Sequence, residues 1–143
     1  MGSVFTRIMN GELPGHFVWK DATATAFLSI NPIETGHTLV VPRVEVDHWL
    51  DVPDGVWKHV SDISRLIGRA LEARFAPPRV AMMIAGFDVA HTHIHLIPAY
   101  HQSRLNFAHA AASADASVLA ATAREIRDTL TTLGCDHGVA SFT

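Results

Sequence analysis

Apolar residues recur along this chain with two different spacings, and the changes of spacing predict where its elements lie. Ser3 can cap a short helix in which Phe5, Ile8 and Met9 fall at i, i+3 and i+4, with Asn10-Gly11 ending it. Phe17-Val18-Trp19 and the run from Ala24 to Ser29 read as two strands joined around Asp21-Ala22-Thr23. Asn31-Pro32 and Thr35-Gly36 mark a loop before His37-Thr38-Leu39-Val40-Val41-Pro42, whose β-branched content makes it a strand. From Asp54, a candidate N-cap, to about Phe75 the positions Val56, Val60, Ile63, Leu66, Ile67, Ala70 and Leu71 keep the 3.6-residue period of a long amphipathic helix. Pro77-Pro78 stops it, and Val80 to Ile84 follows as a buried strand, with Met82 and Met83 in the core and a turn at Ala85-Gly86. A last helix spans roughly Ser117 to Leu133, with Leu119, Ala123, Ile126, Leu130 and Leu133 inward and Gly134 at its C-cap. Strands in hairpins with helices laid on one face predict a single α+β domain over residues 1–143, built on an antiparallel sheet of about five strands.

The stretch His91-Thr92-His93-Ile94-His95-Leu96-Ile97-Pro98 alternates in a different way. In an extended strand His91, His93 and His95 share one face, while Thr92, Ile94 and Leu96 point to the other. At ~3.3 Å of rise per residue, neighbouring histidines stand about 6.6 Å apart and the outer two about 13 Å apart. A row of that length converges poorly on one metal ion, which needs its imidazoles at ~2.0–2.1 Å. It can line an elongated anion such as a phosphate. Neutral imidazole is a competent nucleophile and titrates at about 6.5. Two other readings stay open: a strand whose exposed face is rich in histidine, and a metal site in which an H-x-H pair takes a third ligand from His37, His48, Asp47 or Asp88.

Composition narrows the partners. A chain of 143 residues with 48% hydrophobic content can bury one proper core. The net charge is −3 and the eleven Lys and Arg are scattered, so there is no electrostatic footprint for nucleic acid or an anionic membrane. A lone cysteine, Cys135, has no internal disulfide partner, which fits a reducing cytosol. No basic leader precedes an apolar run, and no apolar stretch approaches ~18 residues, so a soluble cytoplasmic protein with no membrane partner is expected.

The run His91-Thr92-His93-Ile94-His95-Leu96-Ile97 resembles the signature of the histidine triad (HIT) family. The resemblance extends through Val4-Phe5-Thr6-Arg7-Ile8-Met9, Gly11-Glu12-Leu13-Pro14, Ala26-Phe27-Leu28-Ser29-Ile30-Asn31-Pro32 and Gly36-His37-Thr38-Leu39-Val40-Val41-Pro42, and covers the chain to about residue 100. It implies a purine nucleotide or nucleotide conjugate bound in an apolar cleft, with Phe5, Ile8, Phe27 and Ile30 at base and ribose, and Ser29, Asp88 and Val89 also in the nucleotide site. It implies that His93 attacks the α-phosphate of a nucleoside phosphoramidate, a dinucleoside polyphosphate or an adenylate, giving a nucleotidyl-histidine that water cleaves. His91 and His95 would flank the nucleophile, His95 beside phosphate or leaving group, and His37 would complete a four-histidine cluster. No metal or other cofactor is implied, and a homodimer is.

The chain also departs from the family pattern. Ser29 stands where many members carry an aspartate that grips the ribose hydroxyls, and it can make only one or two hydrogen bonds there. Gly86-Phe87-Asp88 replaces the usual Gly-Gln-Ser/Thr, and Val80 falls about where an Asn is usual. Phe87 cannot donate to a phosphate. An ionised Asp88 facing one would be repelled, since two like charges at 4 Å cost ~4 kcal/mol at an effective dielectric near 20; it can instead point away or hold a histidine. Thr92 puts a hydroxyl on the packed face, where a backbone partner would satisfy it. Ser3 and Thr6 stand where some relatives have a Cys-x-x-Cys half-site, so no structural zinc is expected. Three activities are carried forward: a metal-independent nucleotide hydrolase or transferase, a nucleotide binder with little turnover, and a metal enzyme built on the histidines.

Overall fold

The computed structural model describes residues 2–139. Strands β1 (Phe17–Lys20), β2 (Ala24–Leu28), β3 (Thr38–Pro42), β4 (Arg79–Met83) and β5 (Ile94–Ala99) form one sheet in the order β1-β2-β3-β5-β4, every neighbouring pair antiparallel. With helices α1 (Val4–Met9), α2 (Asp54–Phe75) and α3 (Ala116–Thr132), this is the α+β architecture that the sequence pattern predicts. Among the described residues no helix is long and apolar enough to cross a membrane.

Alternation along the strands divides the apolar side chains between two clusters. Ala24, Ala26 and Leu28 of β2, Val40 of β3, and Ile94 and Leu96 of β5 pack against Val60, Ile63, Ile67 and Leu71 of α2 and Leu119, Ala123, Ile126 and Leu130 of α3. Phe27, Leu39 and Val41 belong to a second cluster, which Phe5 of α1 completes. The helices therefore lie on both faces of the sheet rather than on one. The cause is the composition of β2 and β3, which are buried at every position and so need cover on both sides.

Local chemistry sets the element ends. The Ser3 hydroxyl accepts from Thr6 N–H at 3.2 Å and starts α1. Asp54 does not cap α2: Pro53 takes that position, and the aspartate acts from the first turn on the helix dipole. At the other end Ala76 turns left-handed, φ 48°, because Pro77 bars it from continuing the helix. Asp115 caps α3 through Ser117 N–H at 2.8 Å, one residue earlier than the periodicity suggests. Gly134, φ 75°, ends it, with Cys135 N–H reaching back to Leu130 O at 2.9 Å.

Two expectations change. The strand expected to be buried at Val80–Ile84 is β4, an edge strand with Met82 55% exposed. An apolar run cannot by itself tell a central strand from an edge that lacks a neighbour. The strand expected from His91 instead begins at Ile94. Continuing the β3–β5 register would bring Pro42 opposite Thr92, and proline has no N–H to donate to the ladder. Thr92 turns to Val46 O instead, donating its N–H at 2.7 Å and its hydroxyl at 2.8 Å.

Candidate active site

The sheet register builds the site. Phe27 of β2 pairs with Leu39 of β3, and Leu39 pairs with His95 of β5, so the three lie in one row across the sheet. Their side chains line a cavity of about 550 Å³, a size suited to a small organic ligand. His37, just before β3, meets His95 from the side, its Nε2 2.9 Å from His95 Nδ1.

One backbone amide fixes the protons on this pair. Ile33 N–H donates to His37 Nδ1 at 3.0 Å, so the His37 proton must sit on Nε2, and that N–H donates to His95 Nδ1. His95 is then left with its proton on Nε2. A second proton on His95 Nδ1 would face the His37 N–H, and turning His37 over would point an N–H at Ile33. Burial adds to this: it lowers the pKa of His37 to about 4. Burial, with the neighbouring His93 and His37 rings, lowers that of His95 to about 3. Both rings are neutral at pH 7, and His95 is held as a hydrogen-bond donor.

His93 has the opposite tautomer. Its Nδ1–H donates to His91 O at 2.8 Å, leaving Nε2 with a free lone pair. Burial pulls its pKa down and the nearby His91 adds to this, while the hydrogen bond to His91 O and the charge of Asp88 push the other way; the net shift is downward. An unprotonated imidazole nitrogen thus stands beside a neutral N–H donor, the two rings 4.9 Å apart. A pair so arranged can attack an electrophilic centre and hydrogen-bond an oxygen on it.

The structure puts His91 behind the cavity wall rather than on it. Its ring is fully buried, with Nε2–H donating to Pro42 O at 2.7 Å and Nδ1 2.6 Å from Ser3 Oγ. Both ring nitrogens are occupied, which locks the carbonyl that holds His93. Glu45 ties this corner together by accepting from Ser3 N–H and Thr6 Oγ1–H, so Ser3 and Thr6 join a hydrogen-bonded network. Among the described residues no three His, Cys, Asp or Glu side chains converge as metal ligands, and His48 Nδ1 is spent on Leu50 N–H. The H-x-H metal reading therefore finds no third ligand in place.

The other expected residues are brought together: Phe5, Ile8, Phe27, Ser29, Ile30, Asp88 and Val89 all line the cavity with His37, His93 and His95. Phe5 packs edge-on against the His93 ring at 4.8 Å. Phe87 turns away and is 95% exposed. The wall also includes Leu39, Phe107 and Ala110, which sequence reasoning missed. Leu39 could have been found, since it shares strand parity with His37. Phe107 and Ala110 lie in an irregular segment with no periodicity to read.

A small α+β protein with an imidazole pair set in a ligand-sized cleft is the class that the fold and site define. Residues 10–102 match the HIT domain model, and the chain belongs to the HIT domain family. An uncharacterized HIT-like protein of Borreliella burgdorferi is 33% identical over 111 residues, 73% of this chain and 80% of that one. An Arabidopsis thaliana protein named adenylylsulfatase HINT3 is 28% identical over 100 residues, 66% of this chain and 51% of its own. The crystal structure of a Hit-like protein involved in cell-cycle regulation from Bartonella henselae, with an unknown ligand, superposes with a TM-score of 0.79 at 25% identity, covering 90% of this chain and 96% of that one.

Proposed function

We propose that this protein is a nucleotide hydrolase that cleaves at the α-phosphate of a purine nucleoside 5′-phosphoramidate through a nucleotidyl-histidine on His93. The observation that carries the reading is the pair of opposed tautomers, a free Nε2 on His93 beside an N–H donor on His95. In the first half-reaction the His93 Nε2 lone pair bonds to phosphorus as the P–N bond breaks. The P–N electron pair leaves on the amine nitrogen, which takes a proton from solvent. In the second, a water oxygen bonds to phosphorus and the P–Nε2 bond breaks, its pair returning to the ring and one water proton to solvent. His95 Nε2–H donates to a phosphoryl oxygen, and His91 acts as a positioning residue through its carbonyl.

Charge supports an amine as leaving group over a polyphosphate or sulfate. Among the described residues that line the cavity none is Lys or Arg, and both His37 and His95 are neutral. Asp88 adds a negative charge whose effect on His93 favours the positive ring that forms when Nε2 bonds to phosphorus. Extra phosphates would meet this carboxylate with no Lys or Arg among the described lining residues to offset it. Nucleotide binding with little turnover is the second reading, favoured by Phe87, which brings no donor into the cleft.

Steady-state assays of adenosine 5′-phosphoramidate and a diadenosine polyphosphate test the proposal. Faster cleavage of the amidate, lost in His93→Ala, is expected. Calorimetric binding of AMP with neither compound cleaved supports the second reading and rejects the first.

A homodimer joined through the free edge of β4 belongs to the same proposal. The exposed Met82 and a groove between α2 and β4 lined by Arg65, Arg69 and Glu72 support it, since a two-fold axis would offer arginines to glutamates. Sedimentation equilibrium reads the mass directly, and a monomer at micromolar concentration rejects it.

A further inference from the structure

Hydrolysis of a nucleotidyl-histidine has a proton to place, because the attacking water must lose one as its oxygen bonds to phosphorus. Among the described residues the titratable side chains on the cavity wall are His16, His37, His93, His95 and Asp88. Hydrogen bonds remove three of them. His37 Nδ1 is taken by Ile33 N–H and its Nε2–H is donated to His95 Nδ1, so with the His95 proton on Nε2 neither ring has a lone pair to spare. In the intermediate His93 holds phosphorus on Nε2 and keeps its Nδ1 proton on His91 O. His16 is too far away. Phe17, Phe27, Leu39 and His95 lie in register across β1, β2, β3 and β5, so His16, next to Phe17, stands three strand spacings from His95, about 14 Å.

Asp88 remains. It lies in the segment that joins β4 to His91, after the left-handed turn at Gly86, φ 80°. The next residue, Val89, packs on the cluster of Phe5, Phe27, Leu39 and Val41. That anchors the segment beside the His93 ring, which Phe5 touches. Asp88 itself is exposed at the mouth of the cleft, whose wall it joins, while Phe87 turns to solvent. Among the described residues its carboxylate has no hydrogen-bond or ion-pair partner, so its oxygens are free to accept. Its charge reaches the His93 ring, where it opposes the effect of burial.

Resting on the reading of His93 as nucleophile, we infer that Asp88 is a catalytic residue, the general base that takes a proton from the water that cleaves the nucleotidyl-histidine. An in-line displacement brings that water to the face of phosphorus opposite Nε2. The imidazoles are the buried floor of the cleft and Asp88 an exposed part of its rim, so water enters on the side of the carboxylate. One carboxylate oxygen takes a water proton as the water oxygen bonds to phosphorus and the P–Nε2 bond breaks, its pair returning to the ring. The proton then passes to solvent at the rim as the nucleoside monophosphate leaves. Repulsion between the carboxylate and the phosphate favours the transfer, because the carboxylate loses its charge by it.

The test follows adenosine 5′-phosphoramidate at pH 8 by steady-state kinetics and by rapid quench of the adenylyl-His93 adduct. In Asp88→Asn the decay of the adduct, and with it kcat, should fall by about a hundredfold, the low end of what a positioned base contributes, while kcat/KM, set by formation of the adduct, falls by less than about tenfold. Asp88→Glu keeps a carboxylate and should restore most of the decay rate, with thermal melts checking that each variant folds. Wild-type decay should be slower in heavy water. Adduct in Asp88→Asn that decays as fast as in the wild type overturns the role of Asp88 and leaves that of His93 standing, and so does an equal fall in kcat and kcat/KM. A wild type that cleaves the amidate without forming the adduct, or does not cleave it, removes both proposals. Should Asp88→Asn fail to fold, equal wild-type decay in ordinary and heavy water still overturns the inference.

Discussion

Acid should unfold this protein through the His37–His95 pair, and the size of the effect can be worked out. In the unfolded chain each ring takes a proton at the ordinary histidine value near 6.5, whereas burial lowers the folded values to about 4 and about 3. Below pH 6.5 the unfolded state therefore binds more protons than the folded one. The pair's contribution is fully present above that pH and is lost as pH falls toward the folded values. At pH 5 each ring lies about 1.5 units below its unfolded value, worth about 2 kcal/mol at 1.36 kcal/mol per unit, so the pair loses about 4 kcal/mol. That is a large share of the ~5–15 kcal/mol that stabilises a typical domain. Urea unfolding at pH 7.5 and 5.0, followed by the fluorescence of buried Trp19, measures the loss. In His95→Asn the difference between the two pH values should shrink by about 2 kcal/mol. If His37→Asn and His95→Asn each lose as much stability as the wild type between the two pH values, the neutral relay is refuted.

Other perturbations follow from the same contacts. Asp88 holds the pKa of His93 up against its burial, so Asp88→Asn should move the acid limb of kcat/KM for adenosine 5′-phosphoramidate to lower pH. A limb that stays in place or moves upward contradicts that role. Ser3→Ala removes both the cap on Thr6 N–H and the partner of His91 Nδ1, and should cost about 1–2 kcal/mol in denaturant unfolding. A Cβ at residue 138 would come within 2.1 Å of the Trp19 ring, so Gly138→Ala should destabilise by about 1–3 kcal/mol; an unchanged melting temperature would mean that the C-terminal segment does not pack there.

The elements were largely legible because their signals are local. The 3.6-residue period of α2, the Ser3 cap and the Gly134 stop each act within a few residues, and the structure reproduces them. The missed features depend on what lies across the fold. Pro42 ends the β3–β5 ladder, which takes His91 and His93 out of the strand, and nothing near residue 91 signals it. The exposure of Met82 depends on which strand lies at the sheet edge.

The same division holds in the site. Strict spacing marked out His91, His93 and His95, but not that His91 would turn both ring nitrogens to Pro42 and Ser3. The proton arrangement of His37 and His95 rests on one amide, Ile33 N–H, in a loop without pattern. Phe107 reaches His95 only because the segment 102–114 is tied to that same loop by Arg104 and Asn31.

The central claim is that His93 Nε2 carries the nucleotide during turnover. Mixing excess adenosine 5′-phosphoramidate with the protein, quenching within milliseconds in alkali to preserve a P–N bond, and sequencing the labelled peptide by mass spectrometry tests it most directly. The account predicts one adenylyl group on His93, formed faster than AMP is released and absent from His93→Ala. Adduct on another residue, or AMP released with no adduct at any time, would contradict it.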